Sequence, residues 1–350
     1  MKIAITIGDA AGIGPEVILK ALRHSVGDDV TPVIFGSRQV LIDENDRLGE
    51  GGWADSELRS HFLDCRRLGD VVDDGSTTPV IDVLPEEDFS NLEKGVEDPR
   101  CARLQMKAFR EAVNAARAGA VDAVVTAPWN KSLFETIDEP SVGHTEVLAD
   151  TFQTSQPVMM LAGPRLRVSL VTTHVPLRRV AGRLTRGRLR SVIRTTIGGL
   201  RRRFDVDHPR IAVCGVNPHA GEQGAMGDEE AEVIEPAIEE LSAELEGLAT
   251  MEGPFPADTL FAKYRNGATP FDAVVSMYHD QGLIPLKLLH FGESANLTLG
   301  LPIIRTSVDH GTAYDIAGQG IADPGSLRYA IELAAKMARL ETEANPSDAT

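Results

Sequence analysis

The sequence predicts an α/β protein built on a largely parallel sheet with helices on both faces. Three observations carry this expectation. Short runs rich in valine and isoleucine recur along the 350 residues, as in "KIAITI", "TPVIFG", "VDAVVTAP", "VMMLAG", "LRVSLVTTH", "RIAVCGVN", "FDAVVSMYH" and "PIIRTSV". Segments of helical pattern lie between them, at 15–25, 99–118, 186–203 and 228–246. The strand runs are continuously apolar, as burial on both faces requires, where a half-exposed strand would alternate.

Composition bounds the answer. With 42% hydrophobic and 25% charged residues the chain can bury a large core, and its length suits one big or two medium domains. No window reaches the roughly 18 consecutive apolar residues of a membrane span, and the first residues lack the basic-then-apolar pattern of a signal peptide; the expected location is the cytoplasm. Cys65, Cys101 and Cys214 are too scattered for a CxxC pair or a disulfide framework. A net charge of −17 argues against nucleic acid or an anionic membrane as partner, and a small anionic substrate would need locally placed cations.

Along the chain, "KIAITI" leads into "GDAAGIGPE" at 8–16, a strand, tight turn and helix start in which Pro15 and Glu16 suit the first helical turn. Such a turn can present backbone N–H groups to an anion. It lacks the Gly-Lys-Ser/Thr ending of a P-loop and the spacing of a Rossmann fingerprint, so a structural turn is the better local reading. The acidic segment from about 40 to 98 has no clear pattern. At 183–204, arginines interleave with Leu189, Val192, Ile193, Ile197 and Leu200, as on an amphipathic helix with a solvated basic face. The last residues, "ETEANPSDAT", read as a frayed tail.

Several strand runs end in a polar cluster. "LRVSLVTTH" delivers His174, "RIAVCGVNPH" delivers His219 and "FDAVVSMYH" delivers His279. Ligands bind at the carboxyl ends of strands in open α/β sheets. One such histidine is more often a loop or cap residue; three in the same pattern suggest a shared metal, because imidazole is the commonest ligand of zinc and similar ions. They are far apart in sequence, so only the fold or a second subunit could unite them. By the same logic "VVTAPWNK" brings out Asn130 and Lys131, and the loop "VGHTE" offers His144 and Thr145. Asn296, Lys287 and Arg305 follow near later turns. The two cations stand out because they sit inside apolar runs, where a charge is costly and usually meets a counter-anion.

These blocks, from "ITIGDAAGIGPE" through "VTAPWNK", "GHTE", "VSLVTTHVPLR", "CGVNPHAGEQGAMGDEE", "GPFPADTLF" and "MYHDQGLIPLK" to "NLTLGLPIIRTSVDHGTAYDIAGQGIADPGS", resemble the 4-hydroxythreonine-4-phosphate dehydrogenase family of pyridoxal phosphate synthesis nearly end to end. More distantly, "GDAAGIGPE" and "DHGTAYDIAGQGIADP" look like isocitrate and isopropylmalate dehydrogenases. The resemblance implies a two-lobed fold of that type with an active-site cleft between the lobes, the first lobe from 1–128 and 290–350 and the second from 129–289. It implies His174, His219 and His279 as ligands of a divalent metal, zinc first, with magnesium or cobalt as alternatives, in a homodimer whose shared active sites take the third histidine from the partner chain. It gives substrate contacts to His144, Thr145, Lys287, Asn296 and Arg305, and places NAD, with NADP as the alternative, against His310, Gly311, Thr312 and Ala313. Lys287 and Asp280 are the candidates for the general base.

The implied reaction oxidises a secondary alcohol of a small phosphorylated hydroxy amino acid, followed by loss of carbon dioxide. Rival substrates within the family are 4-phospho-D-threonate or 4-phospho-erythronate and a carboxylated cis-dihydrodiol. Outside it, a phosphate acyltransferase would need no histidine triad, and a non-catalytic binding protein would have no use for the full motif set.

Overall fold

The computed structural model describes the whole chain apart from residues 25, 26, 28, 72–76, 140–142, 155 and 345–350. Most of the expected frayed tail lies outside the described residues. The strands are β1 (Lys2–Thr6), β2 (Thr31–Gly36), β3 (Phe62–Cys65), β4 (Thr78–Asp82), β5 (Ala123–Thr126), β6 (Val158–Ala162), β7 (Arg167–Leu170), β8 (Arg210–Cys214), β9 (Thr250–Phe255), β10 (Ala273–Ser276), β11 (Ala295–Leu299) and β12 (Ile304–Val308). Among the described residues, no helix is long and apolar enough to cross a membrane.

By its internal contacts the chain divides into two compact units, Met1–Gln153 with Leu301–Arg339, and Thr154–Gly300 with the chain from Leu340. In the first unit the strand order is β3-β4-β2-β1-β5-β12, and every pair is parallel. Ile3, Ala4, Ile5, Val124 and Val125 are fully buried, which explains why these runs are apolar throughout instead of alternating. The helix Gly14–Ala21 starts with proline in its first turn. The helix Pro99–Arg117 is capped by Asp98, whose side chain accepts from the Arg100 N–H.

The second unit has the order β11-β6-β7-β10-β8-β9. Here β7, β10, β8 and β9 are parallel, whereas β6 is antiparallel to both β11 and β7. The sheet is thus largely parallel, as expected, and the reversal of β6 has a physical reason. The link Gly163–Leu166, closed by a 2.9 Å bond from Gly163 N to Leu166 O, is far shorter than the crossover of about a dozen residues that a parallel pair needs. The helix Arg186–Phe204 buries Leu189, Val192, Ile193, Ile197 and Leu200, and on its outer face Arg190 and Arg194 pair with Glu240 and Glu244.

The unit boundaries differ from the lobes read from the sequence. Residues 129–153 stay with the first unit, since Lys131–Ile137 packs on the helix Pro99–Arg117 and Trp129 meets Phe109 edge-on. Residues 290–300 stay with the second, where β11 pairs with β6.

Candidate functional site

In the first unit, β5 lies between β1 and β12, so the residues that follow these three strands emerge side by side. Arg305 sits within β12, 2% exposed, and donates from Nη2 to Thr126 Oγ1 at 2.7 Å. Burial pulls its guanidinium down to about 9. His144 opens the helix His144–Thr151, with the half-buried Thr145 next to it. Its ring stacks on Trp129 and meets Phe109 edge-on. Burial first, and the charge of Arg305 second, hold the His144 imidazole well below its ordinary range. Asn130 caps the turn after β5 through Ser132 N and donates to Tyr314 Oη at 3.3 Å; Lys131 is exposed.

The glycine turn and the segment His310–Ala313 are built against each other. Ile13 N donates to Thr312 O at 3.0 Å, and a Cβ on Gly12 would lie 2.8 Å from that same oxygen. The third glycine of the turn, Gly14, is equally closed, with Ile7 O at 2.5 Å. The turn's local role is close packing, as its spacing suggests. Within the segment, His310 Nδ1 bonds Gly311 O at 3.0 Å, and Ala313 holds a left-handed φ of 44°.

In the second unit, Thr173, His174, Val175, Tyr278, His279 and Asp280 line part of a cavity of about 310 Å³. The rings of His174 and His279 lie 5.7 Å apart between centroids. Asp280 Oδ1 is 2.7 Å from His279 Nδ1. If that nitrogen donates, Nε2 keeps its lone pair for a ligand, and the carboxylate fixes the ring. Lys287, half-buried, lies further along the same helix, His279–His290. Asn296 in β11 has a buried Oδ1 that makes no hydrogen bond among the described residues.

His219 is held differently. It begins a run of left-handed residues, His219, Ala220, Gly221, Glu222 and Gln223, with φ between 43° and 78°. Non-glycine residues rarely adopt this conformation, so the surroundings must impose it. Just before that run, Glu230, 3% exposed in a π-turn, anchors the chain by accepting Val216 N at 2.7 Å and Asn217 N at 2.8 Å. Among the described residues no group of three or more His, Cys, Asp or Glu side chains comes together as a metal site. His174 and His279 meet within one chain; all three histidines do not.

The sequence reading passed over Asp9, Tyr314, Glu230 and Trp129. All four lie inside the motifs quoted above, and the one available signal was a carboxylate in a small-residue turn directly after an apolar run.

The family model described as pyridoxal phosphate biosynthetic protein PdxA matches residues 28–334. A 4-hydroxythreonine-4-phosphate dehydrogenase of Desulfosudis oleivorans is 46% identical over 333 residues, covering 95% of this chain and 94% of its own. A protein of Oceanobacillus iheyensis, provisionally named D-threonate 4-phosphate dehydrogenase, is 40% identical and covers 96% of this chain and 97% of its own. The crystal structure of 4-hydroxythreonine-4-phosphate dehydrogenase from Klebsiella pneumoniae superposes with a TM-score of 0.82 at 40% identity, covering 96% of this chain and 99% of that one.

Proposed function

The chain belongs to the PdxA family of pyridoxal phosphate biosynthetic proteins, and on that ground we propose that it is an NAD-dependent, divalent-metal-dependent 4-hydroxythreonine-4-phosphate dehydrogenase. It oxidises 4-phosphooxy-L-threonine to 2-amino-3-oxo-4-phosphooxybutanoate, which loses carbon dioxide to give 3-amino-2-oxopropyl phosphate. The observation that carries the reading is the match over nearly the full length of both chains to relatives of that name. The side chains described above have the chemistry that the reaction needs.

Two imidazoles at ligand-sharing distance, one oriented by a carboxylate, suit zinc or a similar ion. His174 and His279 would hold it with His219, in a homodimer that shares the site between chains, since one chain does not gather all three. An apolar stripe supports the dimer: Ile284, Leu288 and Phe291, on and just after the helix that bears His279, are 66%, 85% and 81% exposed. When bound, the cation supplies Lewis acidity at the substrate oxygen, and NAD supplies the hydride acceptor. His310, Gly311, Thr312 and Ala313 form the seat for NAD.

The chain's own groups bind the substrate and move its proton. Arg305 supplies fixed positive charge for the phosphate, and His144, kept neutral by burial, offers a single N–H donor beside it. Thr145 adds a hydroxyl. The buried Oδ1 of Asn296 accepts from the substrate amine or a hydroxyl. Because Asp280 is engaged with His279, Lys287 is the better general base for the substrate hydroxyl. In that role it must be neutral when it takes the proton, which leaves the phosphate to Arg305.

A second reading, favoured by the Oceanobacillus relative, is oxidation of D-threonate 4-phosphate, which carries a hydroxyl where the amino acid carries its amine. NADH formation by the purified enzyme on the two compounds side by side decides between them. A kcat/KM at least tenfold higher for the amino acid supports the first reading, and the reverse ratio supports the second.

A further inference from the structure

We propose that the hydrogen bond between Asp9 and Tyr314 positions the segment His310–Ala313 for NAD, so that both are positioning residues for cofactor binding. The inference rests on the reading of that segment as the NAD seat. Asp9 is 0% exposed, in the turn that follows β1, and its two carboxylate oxygens are used in different directions. Oδ1 accepts the N–H of Ala11 at 2.9 Å, inside the glycine turn. Oδ2 accepts the hydroxyl of Tyr314 at 2.5 Å, on the residue next to the segment. Tyr314 Oη in turn accepts from Asn130, which follows β5. One carboxylate thus ties the ends of two central strands to the chain that leaves β12.

The segment is pinned at both sides and strained between the pins. On one side Thr312 O takes the N–H of Ile13, with Gly12 pressed against it. On the other stands Tyr314. Between them Ala313 adopts the left-handed conformation, which is unfavourable for a non-glycine residue and persists where the surroundings over-determine it. Downstream, Lys20 donates to Gly320 O and Ala322 O, and Glu16 Oε1 accepts Ala322 N, so the rest of the loop has its own anchors. Releasing Tyr314 therefore frees the segment and leaves the loop in place. A buried carboxylate is costly unless hydrogen-bonded, and here the donors come from the two pieces of chain it would hold together.

The test is a calorimetric titration of NAD into the native protein and into Tyr314→Phe, Asp9→Asn, Asp9→Ala and the double variant Asp9→Ala with Tyr314→Phe. Tyr314→Phe keeps the ring and is the deciding variant, because Asp9→Ala also opens a hole. We expect the Kd for NAD to rise about tenfold in Tyr314→Phe, the effect of one buried hydrogen bond. Asp9→Asn, which keeps an acceptor, should be weakened less than Asp9→Ala. The double variant should be no weaker than Asp9→Ala alone, as expected of residues that act as one unit. Native affinity for NAD in Tyr314→Phe, or fully additive losses in the double variant, would overturn the inference and leave the functional reading standing. A native protein that takes up no NAD would overturn that reading and the inference with it.

Discussion

The imidazole of His144 lies flat against the indole of Trp129, with ring centroids 3.6 Å apart and planes 13° apart. Stacked there with Phe109 at its edge and Arg305 as a charged neighbour, the ring is held neutral. The consequence for stability has a definite sign. The folded pKa lies well below the ordinary 6.5, so between the two values the unfolded chain binds the proton that the folded chain refuses. This contribution is fully present above 6.5 and is lost as the pH falls toward the folded value. Melting temperatures between pH 7.5 and 5 should fall more steeply for the native protein than for His144→Gln. Parallel curves would mean that the ring is solvated and free to protonate.

Arg305 should report on the substrate anion. Its replacement by alanine removes a charge-assisted hydrogen bond in a dry position, which costs roughly 1.5 to 3 kcal/mol, or about tenfold to over a hundredfold in affinity. The loss should appear in the KM for the phosphorylated substrate while the Kd for NAD stays within about twofold of native. An equal loss for both ligands would place Arg305 in the general architecture of its unit and not at the substrate.

Replacing His174, His219 or His279 with alanine should each abolish activity and reduce bound zinc, measured by elemental analysis of the folded proteins. Mixed dimers then show how the ligands are divided. If the site is shared, His174→Ala regains activity when paired with either His279→Ala or His219→Ala, and the pairing that works names the residue that crosses. Well-folded mixed dimers that stay inactive in both pairings would mean that each site is built within one chain.

The apolar stripe predicts the assembly. Leu288→Asp places a charge at its centre and should convert a native dimer, seen by sedimentation, into an inactive monomer. A native monomer, or a variant that remains dimeric, would remove the stripe from the interface.

Much of this was readable because burial on both faces writes itself into β1, β5, β8 and β10 as nearly continuous apolar runs. The strands β3 and β4 escaped notice in the acidic segment. β3 is a short edge strand whose Leu63 and Asp64 face solvent, so its composition carries no burial signal. Strand ends brought out all three histidines, but which of them meet depends on sheet order and on the loops. β7 and β10 are hydrogen-bonded neighbours, and His174 and His279 lie just beyond them. β8 also borders β10, yet His219 opens a left-handed run that follows the stretch Glu230 anchors from a later turn. The pairing of Asp9 with Tyr314 spans 305 positions of sequence, and no local pattern announces it.

The central claim is that the substrate is a phosphorylated hydroxy amino acid, and comparing the enzyme's rates on 4-hydroxythreonine with and without its phosphate tests it most directly. NADH formation should give a kcat/KM for the phosphorylated compound about tenfold to over a hundredfold above that for the dephosphorylated one, as expected when a buried arginine loses its dianionic partner. In Arg305→Ala that ratio should collapse toward unity. Equal kcat/KM values for the two compounds in the native enzyme would contradict the account.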